Sequence, residues 1–484
     1  MNNHLNVLFL ASESVPFAKV GGLADVANAL PKALRHLGLD ARLLIPWYGG
    51  IRSQDYEFRR VGPSIGVPLG PGEAPIQLLE TEIDDLPVYL IWNDQYLSSR
   101  KQVYGFNNDP QRFTFFSRAV IAALPQLSWK PDVIHANDWH TAPVVSWLKY
   151  YGRDEAFYKD IATLYTIHNL AYQGICGRLI LRFARMEAIC HLPVEPPGQV
   201  NWMAQGIANA DLVNTVSPTY AGEILSSDAG MGLEALLQQR KDRFFGVLNG
   251  IDVKAWNPAT DPALPQVFDV TSLRMRSVNK AALQREAGLR ARDDIPLLGV
   301  VSRLDRLKGL DIMIPALETM LAEENVQAVV LGTGDPDYET QLRDLQARFP
   351  EQLRAYIRFD ERLARQIYGG VDIFLMPSLV EAGGLGQMLA MRYGAVPVVR
   401  ATGGLADTVT DLDDKPNLGT GFVFRPYTAE ALVGALRRAL FVYRRQERWQ
   451  DVQRRAMQKD FSWGASARTY IDLYRRAIAV HPSL

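Results

Sequence analysis

The sequence predicts an α/β fold made of two doubly wound parallel sheets. Three observations predict it. Short apolar runs alternate with helical patterns along the whole chain. Those runs are apolar throughout rather than alternating, which suits strands covered on both faces. The rhythm restarts after Asn249-Gly250, so the pattern occurs twice. At about 100–200 residues per domain, 484 residues fit two to four domains.

In the first half the strands are Asn6–Ala11, Ala41–Pro46, Val88–Trp92, Val133–His135, Ala162–Ile167 and Leu212–Thr215. Helical spacing places helices at Leu23–Leu37 and Gln111–Leu124. The Pro/Gly-rich stretches Gly62–Pro75 and Val194–Gly198 read as loops. Asn257–Phe268, with Pro258, Pro262 and Pro265, reads as an irregular connector. The second half offers strands Leu297–Ser302, Ala328–Leu331, Ala355–Phe359, Ile373–Pro377 and Val396–Arg400. Helices fill Asp311–Glu323, Tyr338–Arg348, Leu363–Tyr368 and Leu385–Tyr393. The tail Tyr427–Ile478 is helical, with Trp449, Phe461 and Trp463 as anchors.

Composition narrows the function classes. Lys+Arg total 52 and Asp+Glu 53, a net charge of -1. That balance disfavours a chain that coats nucleic acid or an acidic membrane. Cys176 and Cys190 are the only cysteines, with no CxxC, so neither a disulfide framework nor a structural zinc site is expected. The opening MNNHLNVLFLASE lacks a secretion-signal pattern, and no apolar run is long enough to span a bilayer. The expected location is the cytoplasm.

The common catalytic fingerprints are missing. There is no GxGxxG after the first strand, no GxxxxGK[ST], no HExxH and no GxSxG. Asp335-Pro336-Asp337 and Asp411-Leu412-Asp413 have DxD spacing, but two carboxylates in a loop are weak evidence for a metal.

Chemistry gathers instead at predicted strand ends, where open α/β sheets bind ligands. After the first strand comes SESVPFAKVGGLAD, Ser12–Asp25. Gly21-Gly22 at a helix start admits a phosphate, and Lys19 adds a full charge. An ordinary tight turn with a solvated lysine fits equally well. HANDWHT and TIHNLAYQG follow two more strands and bring His135, Asp138, His140 and His168 to the same edge. Such groups hydrogen-bond sugar hydroxyls or move protons. For His135 and His140 a structural role fits better. SRLDRLKG, Ser302–Gly309, places Arg303 and Lys308 at a strand end, a pairing suited to a diphosphate. In PSLVEAGGLGQ, Glu381 opens a turn whose amides at Gly384, Leu385 and Gly386 face an anion. A carboxylate beside a phosphate needs another task, such as binding sugar hydroxyls. GGLAD occurs at Gly21–Asp25 and again at Gly403–Asp407, an echo that alone carries little weight.

KVGGLAD, DWHT, TIHNLAYQG, TVSPTYAGEI, NGID, SRLDRLKG, LGTGDPDYE, GLGQMLAMRYG, TGGLADTV and GTGF appear in one order. In that order they resemble bacterial glycogen and plant starch synthases, from Val7 to about Tyr474. The resemblance implies a GT-B fold: two Rossmann-like domains facing a cleft. It implies domains at 1–249 and 250–456, and a C-terminal helix at 457–484 crossing back to the first. It implies transfer of glucose from ADP-glucose, sometimes UDP-glucose, to the non-reducing 4-OH of an α-1,4-glucan, with retention. The partners are then a nucleotide sugar and a glucan, with no metal or cofactor, nucleic acid or membrane.

The same resemblance implies roles. Lys19 with Gly21 and Gly22 binds the donor. Asp138 and His168 line the catalytic cleft. Arg303 and Lys308 neutralise the leaving diphosphate, and Glu381 lies close to the transferred glucose. Phe359 falls where an aromatic stacks on adenine. Gly384, Leu385 and Gly386 complete the donor set, and Asp25, His140 and Asn169 stand nearer the acceptor. The departures cluster in one turn. Where the family has Pro, Cys and then Thr or Asn, this chain has Ala382, Gly383 and Gly386. The turn is expected to be more flexible. Ala204 replaces a usual lysine, and Leu389 stands where related retaining enzymes carry a second glutamate. Two alternatives stay open: a glucosyltransferase using a small acceptor such as glucose 1-phosphate, and a catalytically weak glucan-binding relative.

Overall fold

The computed structural model describes residues 5–227 and 229–482. The first four residues of the opening stretch MNNHLNVLFLASE and the last two residues of the expected 457–484 helix lie outside them. The chain forms two units, Met1–Gly250 with Trp463–Leu484, and Ile251–Ser462.

The first unit is built on β1 (Asn6–Leu10), β2 (Asp40–Pro46), β3 (Arg59–Arg60), β4 (Ile65–Leu69), β5 (Gly72–Ile83) and β6 (Leu86–Trp92). It continues with β7 (Val133–Asn137), β8 (Ala162–Ile167), a short β9–β10 pair (Ile175–Gly177, Gln199–Asn201), β11 (Leu212–Thr215) and β12 (Phe244–Gly246). The main sheet runs β12-β11-β8-β7-β1-β2-β6-β5-β3. β1 sits in the middle because NVLFL has apolar groups on both faces, and Val7–Leu10 are fully buried. Each such side chain is worth about 1.5–3 kcal/mol on burial, so a register slip is costly. That is what fixes where the loops after β1 and β7 emerge.

The sheet is not wholly parallel, as the sequence reading has it. β5 pairs antiparallel with β6, β3 and β4. The expected loop Gly62–Pro75 is therefore largely a hairpin, turning at Gly70. Its signal was the period-2 series Val67, Leu69, Ala74, Ile76 and Leu78, all buried. Pro68, Pro75 and the glycines between them hid it.

The helix Trp463–Val480 packs on the first unit. Tyr474 donates or accepts at His135 Nδ1 (2.8 Å), whose Nε2 meets Thr166 Oγ1 (2.6 Å). His135 is thus a fully buried structural residue. Beyond the helix, His481 bridges Asp211 Oδ2 (3.0 Å) and the Lys159 carbonyl (2.8 Å).

The second unit has β13 (Leu297–Val301), β14 (Gln327–Gly332), β15 (Leu353–Ile357), β16 (Ile373–Met376), β17 (Val396–Arg400) and β18 (Phe422–Phe424). Every pairing is parallel, in the order β15-β14-β13-β16-β17-β18. This is the doubly wound order of a dinucleotide-binding sheet. β15 ends at Ile357, so Phe359 lies beyond the strand expected to hold it. Trp449 and Trp463 are buried anchors, while Phe461 is only partly covered. No helix among the described residues is long and apolar enough to cross a membrane.

Candidate active site

In each sheet the chain order reverses once, between β1 and β7 and between β13 and β16. Ligands bind doubly wound sheets outside the strand ends at such a switch point. The predicted site residues fall mainly on those four loops, one set in each unit.

In the first unit, the loop after β1 carries Lys19, whose Nζ lies 2.8 Å from Asp25 Oδ1. Gly21 caps the helix Gly22–His36. Its N–H, offered to a phosphate by the sequence reading, is already engaged. It donates to the Glu13 carboxylate at 3.2 Å, and the Val20 N–H does so at 2.5 Å. Glu13 is only 2% exposed. Burial pushes its carboxyl above the usual carboxylate range. Sequence reasoning missed this residue. Its only signal was an acid placed between a strand and a glycine turn.

The loop after β7 begins at Asp138, which opens the helix Asp138–Tyr150 with φ of 55°. A left-handed aspartate is uncommon and marks a constrained position. Its Oδ1 accepts the N–H groups of His168 (2.8 Å) and Asn169 (3.4 Å). Burial lifts the carboxyl to about 7, and the charge of Glu13 adds to the rise. The His168 ring is oriented by Asn137. Asn137 Nδ2 donates to the carbonyls of Leu10 and His135, so its Oδ1 is an acceptor. His168 Nε2 lies 2.8 Å from that oxygen and must carry the proton. Burial holds the ring's pKa at about 3, so His168 is neutral and presents Nδ1 as an acceptor. Asn169 spends its side-chain oxygen on the Ala171 N–H (2.9 Å).

His140 is not brought to this set. Its ring packs against Trp139 (4.2 Å), Phe113 (4.5 Å) and Tyr104 (4.9 Å). Burial and the nearby Arg112 charge keep it neutral, with a pKa of about 3. It serves the aromatic core beneath the loop, in line with the structural reading of its sequence.

In the second unit, Lys308 and Glu381 come together. Lys308 Nζ lies 2.9 Å from Glu381 Oε1 and 2.7 Å from Oε2. Ser378 Oγ donates to Oε2 at 3.0 Å. The two loops are stitched by the Leu379 N–H to the Leu307 carbonyl (2.9 Å). Gly309 permits this approach, because a Cβ there would lie 2.2 Å from the Pro377 carbonyl oxygen. Arg303 is half exposed, 3.4 Å from Asp305. Phe359 is 77% exposed and stands beside the Arg358–Asp360 pair.

The turn at 382–386 is tied rather than slack. Gln387 Nε2 donates to the Gly384 carbonyl (2.9 Å) and Thr408 Oγ1 (3.1 Å). The Gly404 N–H reaches the Glu381 carbonyl (3.0 Å). Leu385 and Gly386 begin the helix Gly386–Arg392. In the GGLAD echo each glycine pair opens a helix, but the partners differ: the Gly21 N–H donates to the Glu13 carboxylate, and the Gly404 N–H to the Glu381 backbone carbonyl.

The two DxD pairs are structural. Asp335 caps its helix through the Asp337 N–H, and Asp411 holds the Val423 N–H and Arg438.

Comparison with known proteins places these loops in a family. Residues 6–239 match the family model of the starch synthase catalytic domain, and 284–455 that of glycosyl transferases group 1. A glycogen synthase of Syntrophotalea carbinolica is 43% identical, covering 99% of this chain and 100% of its own. One from Moorella thermoacetica is 44% identical, covering 99% and 98%. The catalytic domain of starch synthase IV from Arabidopsis thaliana, solved with ADP and acarbose, superposes with a TM-score of 0.91 at 33% identity, covering 98% of this chain and 99% of that one. A sucrose-phosphate synthase from Thermosynechococcus elongatus shares the fold, with a TM-score of 0.61 at 19% identity and coverage of 98% and 99%. The chain has the GT-B architecture and belongs to the glycogen and starch synthase family of glycosyltransferases.

Proposed function

We propose that this chain transfers glucose from ADP-glucose to the non-reducing 4-OH of an α-1,4-glucan, with retention at the anomeric carbon. The observation that carries the reading is the Lys308–Glu381 pair at the second switch point, which couples a cation to a sugar-facing acid. The glucan synthases among its relatives and the ADP-bound starch synthase support the donor and the acceptor.

In this reading Arg303 and Lys308 stabilise the departing diphosphate as negative charge develops on it. Lys19 supplies a further cation to the donor. Glu381, steadied by Ser378 and Lys308, accepts hydrogen bonds from glucose hydroxyls and offsets positive charge at the anomeric carbon. Neutral His168 accepts a hydrogen bond from a sugar hydroxyl at Nδ1, and Asp138 fixes the backbone of that loop. The anomeric C–O bond to the diphosphate breaks, a bond to the acceptor O4 forms, and the acceptor proton passes to the leaving phosphate oxygen. Phe359 offers an exposed ring to adenine.

The test is transfer of label from ADP-glucose to glycogen, run beside UDP-glucose as donor and glucose 1-phosphate as acceptor. Elongated glycogen is the expected product. Label appearing only in a small phosphorylated disaccharide would replace the acceptor assignment, and no transfer from either donor would overturn the reading.

A further inference from the structure

We infer that Glu13 is a positioning residue for the nucleotide-sugar donor: its carboxylate holds the Lys19–Gly22 loop by accepting the N–H groups of Val20 and Gly21. The inference rests on the donor reading above and adds a residue that no glycine or lysine motif points to.

Apart from the Lys19–Asp25 ion pair, the side chains of the loop do little to hold it in place. Val20 is 59% exposed, and Lys19, Gly21 and Gly22 also face outward. Buried apolar contacts cannot fix a segment whose side chains lie in solvent or are absent. Yet the N–H groups of Val20 and Gly21 both converge on one buried carboxylate. Glu13 is itself braced from behind. The carbonyl of the preceding Ser12 accepts the hydroxyl of Tyr48 at 2.6 Å, and Ser12 Oγ pairs with the Tyr104 hydroxyl at 2.7 Å. Both tyrosines are held within the first unit, so the bracing runs from its core through Ser12 and Glu13 to the exposed turn.

A charged group is a costly way to cap a turn. Burying a carboxylate costs several kcal/mol before its partners repay it, and Ser, Thr or Asn caps a helix start more cheaply. The helix Gly22–His36 has no side chain of its own at the capping position, and its positive end favours an anion there. Glu13 therefore serves two ends. It satisfies the helix entry, and it holds Lys19 in a fixed orientation relative to the glycine pair. Lys19 is further tied to Asp25 within the same helix. A donor that meets this loop finds the cation and the glycine backbone already ordered, so it does not bear the entropy of ordering them.

The prediction concerns the donor, not the fold. Glu13→Gln keeps one acceptor oxygen, and Glu13→Ala keeps none. At saturating glycogen, the KM for ADP-glucose rises at least about tenfold in Glu13→Ala and by an intermediate factor in Glu13→Gln. The KM for glycogen and kcat stay within about threefold of wild type. A donor KM unchanged in both variants overturns the inference. So does a fall in kcat with donor KM unchanged. A second measurement needs no variant: hydrogen exchange on the wild-type chain. The Val20 and Gly21 amides exchange slowly despite their exposed residues if Glu13 holds them, and exchange as fast as a free loop if it does not. Wild-type protein that fails to use ADP-glucose overturns the donor reading instead, and the exchange result still decides whether Glu13 holds the loop.

Discussion

Lys308 and Glu381 form a two-point ion pair, with the ammonium 2.9 and 2.7 Å from the two carboxylate oxygens. They come from loops after adjacent strands, β13 and β16, far apart in sequence. Glu381 is nearly buried, and the pair spends one charge on each partner. A surface pair so placed would add little stability, but one this enclosed costs a good deal to break.

Replacing Lys308 by Ala, or Glu381 by Ala, lowers turnover by about 10²–10³-fold, the usual loss of an electrostatic stabiliser. Lys308→Ala also strands the Glu381 carboxylate with Ser378 as its side-chain partner, and costs about 1–3 kcal/mol, less than a fully buried pair because Lys308 is partly exposed. The fold survives, and thermal unfolding measures the cost. Near-normal rates in either variant contradict the roles given to the pair.

Asp138 opposes stability where it serves function. Its carboxyl stands at about 7 in the folded chain, against about 3.9 unfolded. Between those values the unfolded chain releases a proton that the folded one keeps. Stability from this residue therefore falls as pH rises from about 4 to about 7, and the full cost stands above 7. Asp138→Asn keeps an acceptor oxygen and tolerates the left-handed backbone. Its Tm exceeds that of wild type at pH 8, by less at pH 5, with about 4 kcal/mol as the upper bound. Transfer activity falls at both. A variant no more stable than wild type at pH 8 contradicts the burial argument.

Phe359 separates binding from folding. Its ring is 77% exposed, so Phe359→Ala leaves Tm unchanged within error. Stacking on a base is worth about 1–3 kcal/mol, so the donor KM rises about tenfold. An unchanged KM removes Phe359 from the donor site.

The resemblance puts Thr or Asn at the position of Gly386, and the space there is taken. A Cβ there would lie 3.2 Å from Met376 Sδ and 3.4 Å from the Phe374 ring. Gly386→Thr alone costs about 1–2 kcal/mol through overpacking. Adding Met376→Ala recovers part of it, a coupling that a double-mutant cycle in unfolding measures. Purely additive effects contradict the steric account.

The strand ends were legible because each run is apolar and each turn after it carries a charge or glycines. Lys308 and Glu381 could be singled out in this way, one in SRLDRLKG and one in PSLVEAGG. Their contact could not. It depends on β13 lying beside β16 rather than beside β14 alone, a non-local pairing that no local pattern encodes. Glu13 was hidden for the same reason. Its partners lie beyond a loop that doubles back, and in the string SES it looks like any surface acid. For His140 the residues favour a structural role, while the resemblance sets it nearer the acceptor. Its surroundings are aromatic side chains from other elements. The hairpin Ile65–Ile83 was obscured because proline and glycine speak against strands, although both are tolerated near a sheet edge.

The most direct test of the account is the initial rate of glucosyl transfer from labelled ADP-glucose to glycogen, for wild type and Lys308→Ala in parallel. The account predicts label in elongated α-1,4 chains with wild type and a rate at least about 10²-fold lower with the variant. Equal rates from the two proteins, or no incorporation by wild type, would contradict it.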